Sequence, residues 1–171
     1  MTETVVTVER APGVTTTTTT TSSGGLSWMK FNLEYFKSVP GIIKIVQLII
    51  GIICMALASP VYLSATHFFL FVAVTAFICT LLWSFAYLLG IREALNFAIN
   101  WILTELINTA IWAVFYFIAF VVQLAKWSNA HPQQYGKGSN IAAGVFGILN
   151  FIAYSAGAYF LYLEHRGGST Q

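Results

Sequence analysis

Glu105 is the residue of this chain that most invites a chemical reading. It lies inside a long apolar run, about 98–125, with Asn100, Thr104 and Asn108 around it. Those three recur every four residues, which puts them along one side of a helix as a polar seam. A carboxyl group in such a setting is costly and faces a bundle interior or a water-filled path. Two kinds of chemistry suit it. One is relay of a proton or ion, or the holding of a polar ligand. The other is a hydrogen-bonded tie between helices. A relay needs a second ionisable group within the apolar region, and only Lys44, near a helix end, and His67, near a span boundary, are available. The residues therefore favour the tie. Gln47 in the first apolar run and Asn150 in the fourth could each supply a hydrogen bond, at a typical gain of about 0.6 kcal/mol. Which of them meets Glu105 stays open.

Other reactive groups are dispersed. His67, His131 and His165 are far apart and lack metal-ligand spacing. The sequence contains no G-x-S-x-G, H-E-x-x-H or Walker motif and no paired carboxylates. The expectation is a protein that is not an enzyme and binds neither metal nor cofactor. Cys54 and Cys79 both fall within apolar runs, where a thiol packs as a small apolar group. They lie too deep for the juxtamembrane positions that palmitoylation favours.

The elements that hold these residues are four apolar segments, at about 41–63, 67–90, 98–125 and 140–163. Each exceeds the roughly 20 residues a helix needs to cross a bilayer. The chain is 57% hydrophobic and only 8% charged, against roughly 25% charged in soluble domains. At 171 residues a water-soluble fold could not hide so much apolar surface. Backbone groups in lipid must be satisfied within the segment, so the runs should be helices. Runs such as Phe68-Phe69-Leu70-Phe71 lack the alternation of a membrane barrel. The prediction is all-α: a four-helix transmembrane bundle with short connections and antiparallel neighbours. A net charge of +2 with no basic run gives no case for nucleic acid.

The flanks differ in character. Residues 1–27 carry a threonine run, Thr15 to Thr21, and read as a disordered Thr/Ser-rich tail. In residues 28–40, Trp28, Phe31, Tyr35 and Phe36 recur at helical spacing, with Lys30 and Lys37 beside them. This predicts a short amphipathic helix anchored at the membrane surface. Residues 164–171 form a short polar end. If both ends are cytosolic, that side holds Arg10, Lys30, Lys37, Lys44, Arg92 and Arg166, and the other only Lys126 and Lys137. The excess of basic residues favours this orientation. In the fourth run, Ala143 with Gly147 and Ala153 with Gly157 have the small-xxx-small spacing that lets helices approach closely. That pattern serves packing within the bundle, or a face for a second copy or a membrane partner.

These segments resemble the MARVEL-domain proteins, of the plasmolipin and chemokine-like-factor-related branch. The likeness is carried by Tyr35-Phe36-Lys37-Ser38-Val39-Pro40-Gly41 running into an apolar stretch with Gln47-Leu48, and by Leu70-Phe71-Val72-Ala73-Val74. Asn108-Thr109-Ala110 followed by Phe117-Ile118-Ala119-Phe120, and Asn140-Ile141-Ala142-Ala143 through to Arg166-Gly167, extend it over about residues 30–167. The resemblance implies a four-span bundle with cytosolic ends and no catalytic residues. It also implies association with sterol-rich membrane, vesicle trafficking, cell junctions or membrane apposition. Some relatives have paired cysteines in outer loops, and this chain has none there.

The expectation is thus a non-enzymatic organiser that binds lipids, sterol among them, and other membrane proteins laterally. A small transporter or channel, or an accessory subunit, built on the Glu105–Asn108 seam is the alternative. The plasma membrane and transport vesicles are the expected compartments.

Overall fold

Ser38 and Pro40 start the first helix. The Ser38 side chain accepts a hydrogen bond from the Gly41 backbone N–H at 3.4 Å, and Pro40 sits in the first turn, where no backbone donor is needed. Helix α1 then runs Val39–Ala58, α2 Ser64–Leu88, α3 Trp101–Ser128 and α4 Lys137–Gly168. The structure is a computed structural model, and residues 4–11, 14–21, 37–59, 61–89 and 100–168 are described. Among them are four helices long and apolar enough to span a membrane. The predicted surface helix lies almost wholly outside the described residues: Trp28, Lys30, Phe31, Tyr35 and Phe36 are not described, and Lys37 is exposed just before α1.

The N-terminal stretch holds two strands. Strands β1, Thr4–Ala11, and β2, Val14–Thr21, pair antiparallel, with Thr4 opposite Thr21 and Ala11 opposite Val14. Valine and threonine are β-branched and favour extended backbone, and Pro12-Gly13 between them is a turn-forming dipeptide.

The four helices close into a ring in which α1 packs on α2, α2 on α3, α3 on α4 and α4 back on α1. Each buries one stripe. In α1 it is Gly41, Lys44, Gln47, Gly51, Cys54 and Ala58, with the three- and four-residue steps of a helix face. In α3 it is Glu105, Thr109, Trp112, Ala113, Tyr116, Ala119, Gln123 and Trp127. Aromatic groups fill the centre: Phe69, Tyr116 and Tyr154 are fully or almost fully buried, and the two tyrosine rings stack 5.3 Å apart. Only 33% of each spanning window is buried. Large apolar side chains such as Ile49, Phe71, Ile111 and Ile152 face outward from the four helices, which is what lipid as solvent demands.

The small residues of α4 explain the tightest approaches. A methyl group on Gly147 would come within 2.8 Å of the buried Phe69 ring and 3.1 Å of Phe120 Cβ. Gly157 lies against Gln47 Nε2, at 2.9 Å from where a Cβ would stand. Ala143 is fully buried, its carbonyl 3.9 Å from Cys54 Sγ, and Ala153 is half-buried. The stripe thus packs α4 against α1, α2 and α3 inside one bundle. At the turn between α3 and α4, residues 129–136, Lys137 Nζ donates to the carbonyls of Ala130 at 2.7 Å and Ser128 at 3.3 Å. A cation there complements the C-terminal end of α3.

Candidate functional site

The buried polar groups collect in three layers along the bundle. The first lies at the end where α1 and α3 begin and α2 and α4 finish. There Lys44 of α1 forms an ion pair with Glu105 of α3, and the Tyr87 hydroxyl of α2 donates to the other carboxylate oxygen. Glu105 is fully buried and the Lys44 side chain is 7% exposed. The pair spans the bundle diagonally, between helices that are not ring neighbours. An ion pair so placed answers the cost of each charge in a low-dielectric interior.

The second layer is near mid-depth. Gln47 Nε2 donates to the Ala153 carbonyl at 3.1 Å. The hydroxyls of Thr80 and Tyr154 are 2.6 Å apart, and the Tyr154 hydroxyl reaches the Ala76 carbonyl at 3.2 Å. Asn150 is fully buried beside the Tyr116 hydroxyl, and the two form no hydrogen bond of good geometry.

The third layer closes the opposite end. Thr66 of α2 donates to Gln123 Oε1 at 3.2 Å or Asn140 Oδ1 at 3.4 Å, and accepts from Trp127 Nε1 at 2.8 Å. Gln123 Nε2 donates to Asn140 Oδ1 at 3.0 Å, and Asn140 Nδ2 to the Gly136 carbonyl at 3.0 Å. All four side chains are buried. Each of the four has at least one hydrogen-bond partner, which is the condition for a polar group to be tolerated away from water.

The structure thus separates residues that the sequence grouped. Glu105 meets Lys44 and Tyr87, and neither Gln47 nor Asn150 reaches it. The seam expected through Asn100, Thr104 and Asn108 does not line the interior. Asn100 caps α3 by accepting from the Leu103 N–H at 3.2 Å and lies near His165 Nδ1 at 3.4 Å. Thr104 is exposed and donates to the Asn100 carbonyl at 3.1 Å. Asn108 is half-buried and accepts from Trp112 Nε1 at 3.2 Å. A four-residue step drifts round a 3.6-residue helix. At 100° per residue Thr104, Asn100 and Asn108 stand about 100°, 140° and 60° round the helix from Glu105, off the face that Glu105, Thr109, Tyr116 and Gln123 keep.

The Thr66, Gln123, Trp127 and Asn140 network was not anticipated. Its signal was present, since each residue is polar or carries an N–H and lies within or at the end of an apolar run. Sequence alone did not show that the four ends converge. Cys79 lines a cleft between α2 and α3 together with Leu82, Trp83, Ala86, Trp101 and Asn108.

A four-span bundle with polar ties inside and apolar surface outside defines an integral membrane protein of the tetraspan class. Residues 35–160 match the family model for the MARVEL membrane-associating domain, and the chain belongs to that family. It is 30% identical to plasmolipin of Danio rerio over 139 residues, 80% of this chain and 78% of the relative. It is 29% identical to plasmolipin of Rattus norvegicus over 150 residues, 83% of this chain and 80% of the relative. No solved structure matches the chain.

Proposed function

We propose that this protein is a non-enzymatic membrane organiser that binds lipids and other integral membrane proteins along its outward faces. The observation that carries the reading is the division of polar and apolar groups. Most buried polar side chains are spent on bonds within the bundle, whereas every span turns large apolar side chains outward. That outer surface includes bulky groups such as Phe71, Leu82, Phe85, Phe117 and Tyr159. A protein built this way interacts sideways, with lipid tails and partner helices. The family and the plasmolipin relatives are consistent with a role in vesicle traffic, apposition or junctions. The distribution of Lys and Arg supports cytosolic ends, in the plasma membrane or transport vesicles.

The test is detergent-free extraction of a tagged copy from native membrane into polymer discs, followed by mass spectrometry of protein and lipid. The expected result is a near-stoichiometric membrane protein, a second copy of the chain, or enrichment of particular lipids, sterol included. A bare protein in lipid of average composition overturns the reading. Transport through Glu105 is the competing function. It predicts that Glu105→Gln abolishes ion or solute flux in proteoliposomes while folding and delivery survive. The ion pair with Lys44 provides the second ionisable group that a relay needs and equally a tie between helices; in the structural role the substitution lowers abundance instead.

A further inference from the structure

Gly51 of α1 is buried, yet nothing is pressed against it. A methyl group built there would stand 3.6 Å from Phe77 Cδ2 and 3.9 Å from Asn150 Nδ2, in ordinary contact. On Gly144, Gly147 or Gly157 the same methyl would meet a side chain at 2.6, 2.8 or 2.9 Å. Gly51 therefore leaves room for one small group between α1, α2 and α4. Beside that room lie the polar atoms that the mid-depth layer leaves over. Asn150 Nδ2, Asn150 Oδ1 and the Tyr116 hydroxyl are buried and have no hydrogen-bond partner among the described residues. Asn150 and Tyr116 are fully buried and adjacent. Cys54, one turn along α1 from Gly51, is within electrostatic reach of the same hydroxyl. An unpaired amide is costly in a membrane interior, where no bulk water reaches it.

Rotation of the side chains alone does not satisfy these atoms. The Tyr116 hydroxyl can turn its single hydrogen to Asn150 Oδ1, and both hydrogens of Nδ2 then still lack an acceptor. The group that answers this must accept from Nδ2, be no larger than a methyl group and carry no charge. An ion would need a counter-charge, and the buried pair of Lys44 and Glu105 is closed on itself. A hydrocarbon fits the room and offers no acceptor. Water meets all three conditions, and a buried water makes about two to four hydrogen bonds.

We infer that the bundle interior binds one ordered water molecule at mid-depth, between the open side of Gly51, Asn150 and Tyr116. The water accepts from Asn150 Nδ2 and donates to the Tyr116 oxygen, whose own hydrogen goes to Asn150 Oδ1. It joins α3 to α4 by hydrogen bonds and fills the space that α1 leaves at Gly51. The site lies inside the bundle, so it is independent of lateral binding on the outer faces.

The experiment is X-ray radiolysis of the full chain in lipid nanodiscs. Hydroxyl radicals formed from a bound water oxidise the side chains that touch it, and peptide mass spectrometry locates the added oxygen. The expected result is oxygen on Tyr116, whereas Phe69, equally buried, stays unmodified. Gly51→Ala, whose methyl group takes the room without a clash, lowers the Tyr116 signal to the level of Phe69. It also lowers the unfolding midpoint in mixed micelles, because Asn150 Nδ2 loses its acceptor. In a dry interior the same substitution would raise the midpoint, by filling space and adding a better helix former. Asn150→Leu, which keeps the bulk and deletes the amide, also removes the Tyr116 signal. An unmodified Tyr116 in the wild type, a Tyr116 signal that Gly51→Ala leaves unchanged, or a raised midpoint for Gly51→Ala overturns the proposal. The wild-type map and Gly51→Ala decide the matter even if Asn150→Leu fails to fold.

Discussion

Separating Lys44 from Glu105 gives the sharpest test of how this bundle is held. The two groups are 7% and 0% exposed, so the small values typical of surface pairs do not apply. Removing one partner of a buried pair leaves an uncompensated charge, at a cost of about 3–5 kcal/mol. The two single changes should differ. Lys44 sits near the start of α1, and after Glu105→Leu its long side chain can turn back toward the headgroups. Glu105 after Lys44→Met has a shorter side chain and keeps only the Tyr87 hydroxyl as its named donor. Lys44→Met should therefore cost more, near the upper end of that range, and Glu105→Leu near the lower end. The double variant Lys44→Met/Glu105→Leu removes both charges and fills the site with apolar groups. Such replacements are often close to neutral, so it should be more stable than either single variant. The coupling would then be at least about 2 kcal/mol. Reversible unfolding in mixed micelles, followed by helical circular dichroism, measures all four corners of the cycle. Additive costs, or a double variant less stable than Lys44→Met, would refute the assignment of this pair as the diagonal tie.

Three further outcomes follow from the packing. Gly147→Ala should destabilise by about 1–3 kcal/mol in the same assay, because Phe69 is buried and has no room to yield. Gly144→Ala would put a Cβ 2.6 Å from Cδ2 and 2.7 Å from Cγ of the half-buried Leu124 and should also destabilise by about 1–3 kcal/mol; an unchanged stability would show that the contacts on α4 are misassigned. Thr66→Val should cost about 1–3 kcal/mol, since the Trp127 indole loses its acceptor and Gln123 or Asn140 a donor. Thr66→Ser, which restores the hydroxyl, should recover most of that loss, and indole fluorescence should report both changes.

The positions of the helices were legible in the sequence because length and hydropathy in lipid leave few alternatives. Glycine and alanine at small-xxx-small spacing pointed to close approach on α4, and the structure shows which rings each one admits. The grouping of polar residues was less legible. Lys44 stood out only as one of two ionisable candidates, because sequence order says nothing about which helices lie diagonally opposite. Asn100, Thr104 and Asn108 were assigned to one seam by a four-residue count. In the structure one of them caps a helix, one is exposed and one borders a cleft. The count put the three on one side of α3, but that side is turned about 60–140° from the one that Glu105 keeps. The Thr66, Gln123, Trp127 and Asn140 network depends on four chain segments meeting, which no local pattern encodes.

The closure of the ring by α4 against α1 carries a topological consequence. An even number of antiparallel spans returns the polypeptide to the side from which it set out, and the first and last spans are neighbours in the ring. The linear order of the helices is then one of several that could give the same arrangement. A chain joined by a flexible linker from the end of α4 to the start of α1, and reopened in residues 59–63, would preserve every helix-to-helix boundary. Order of membrane insertion would change while the final packing would not. Such a permuted protein would separate what the bundle owes to its contacts from what it owes to its sequence of synthesis.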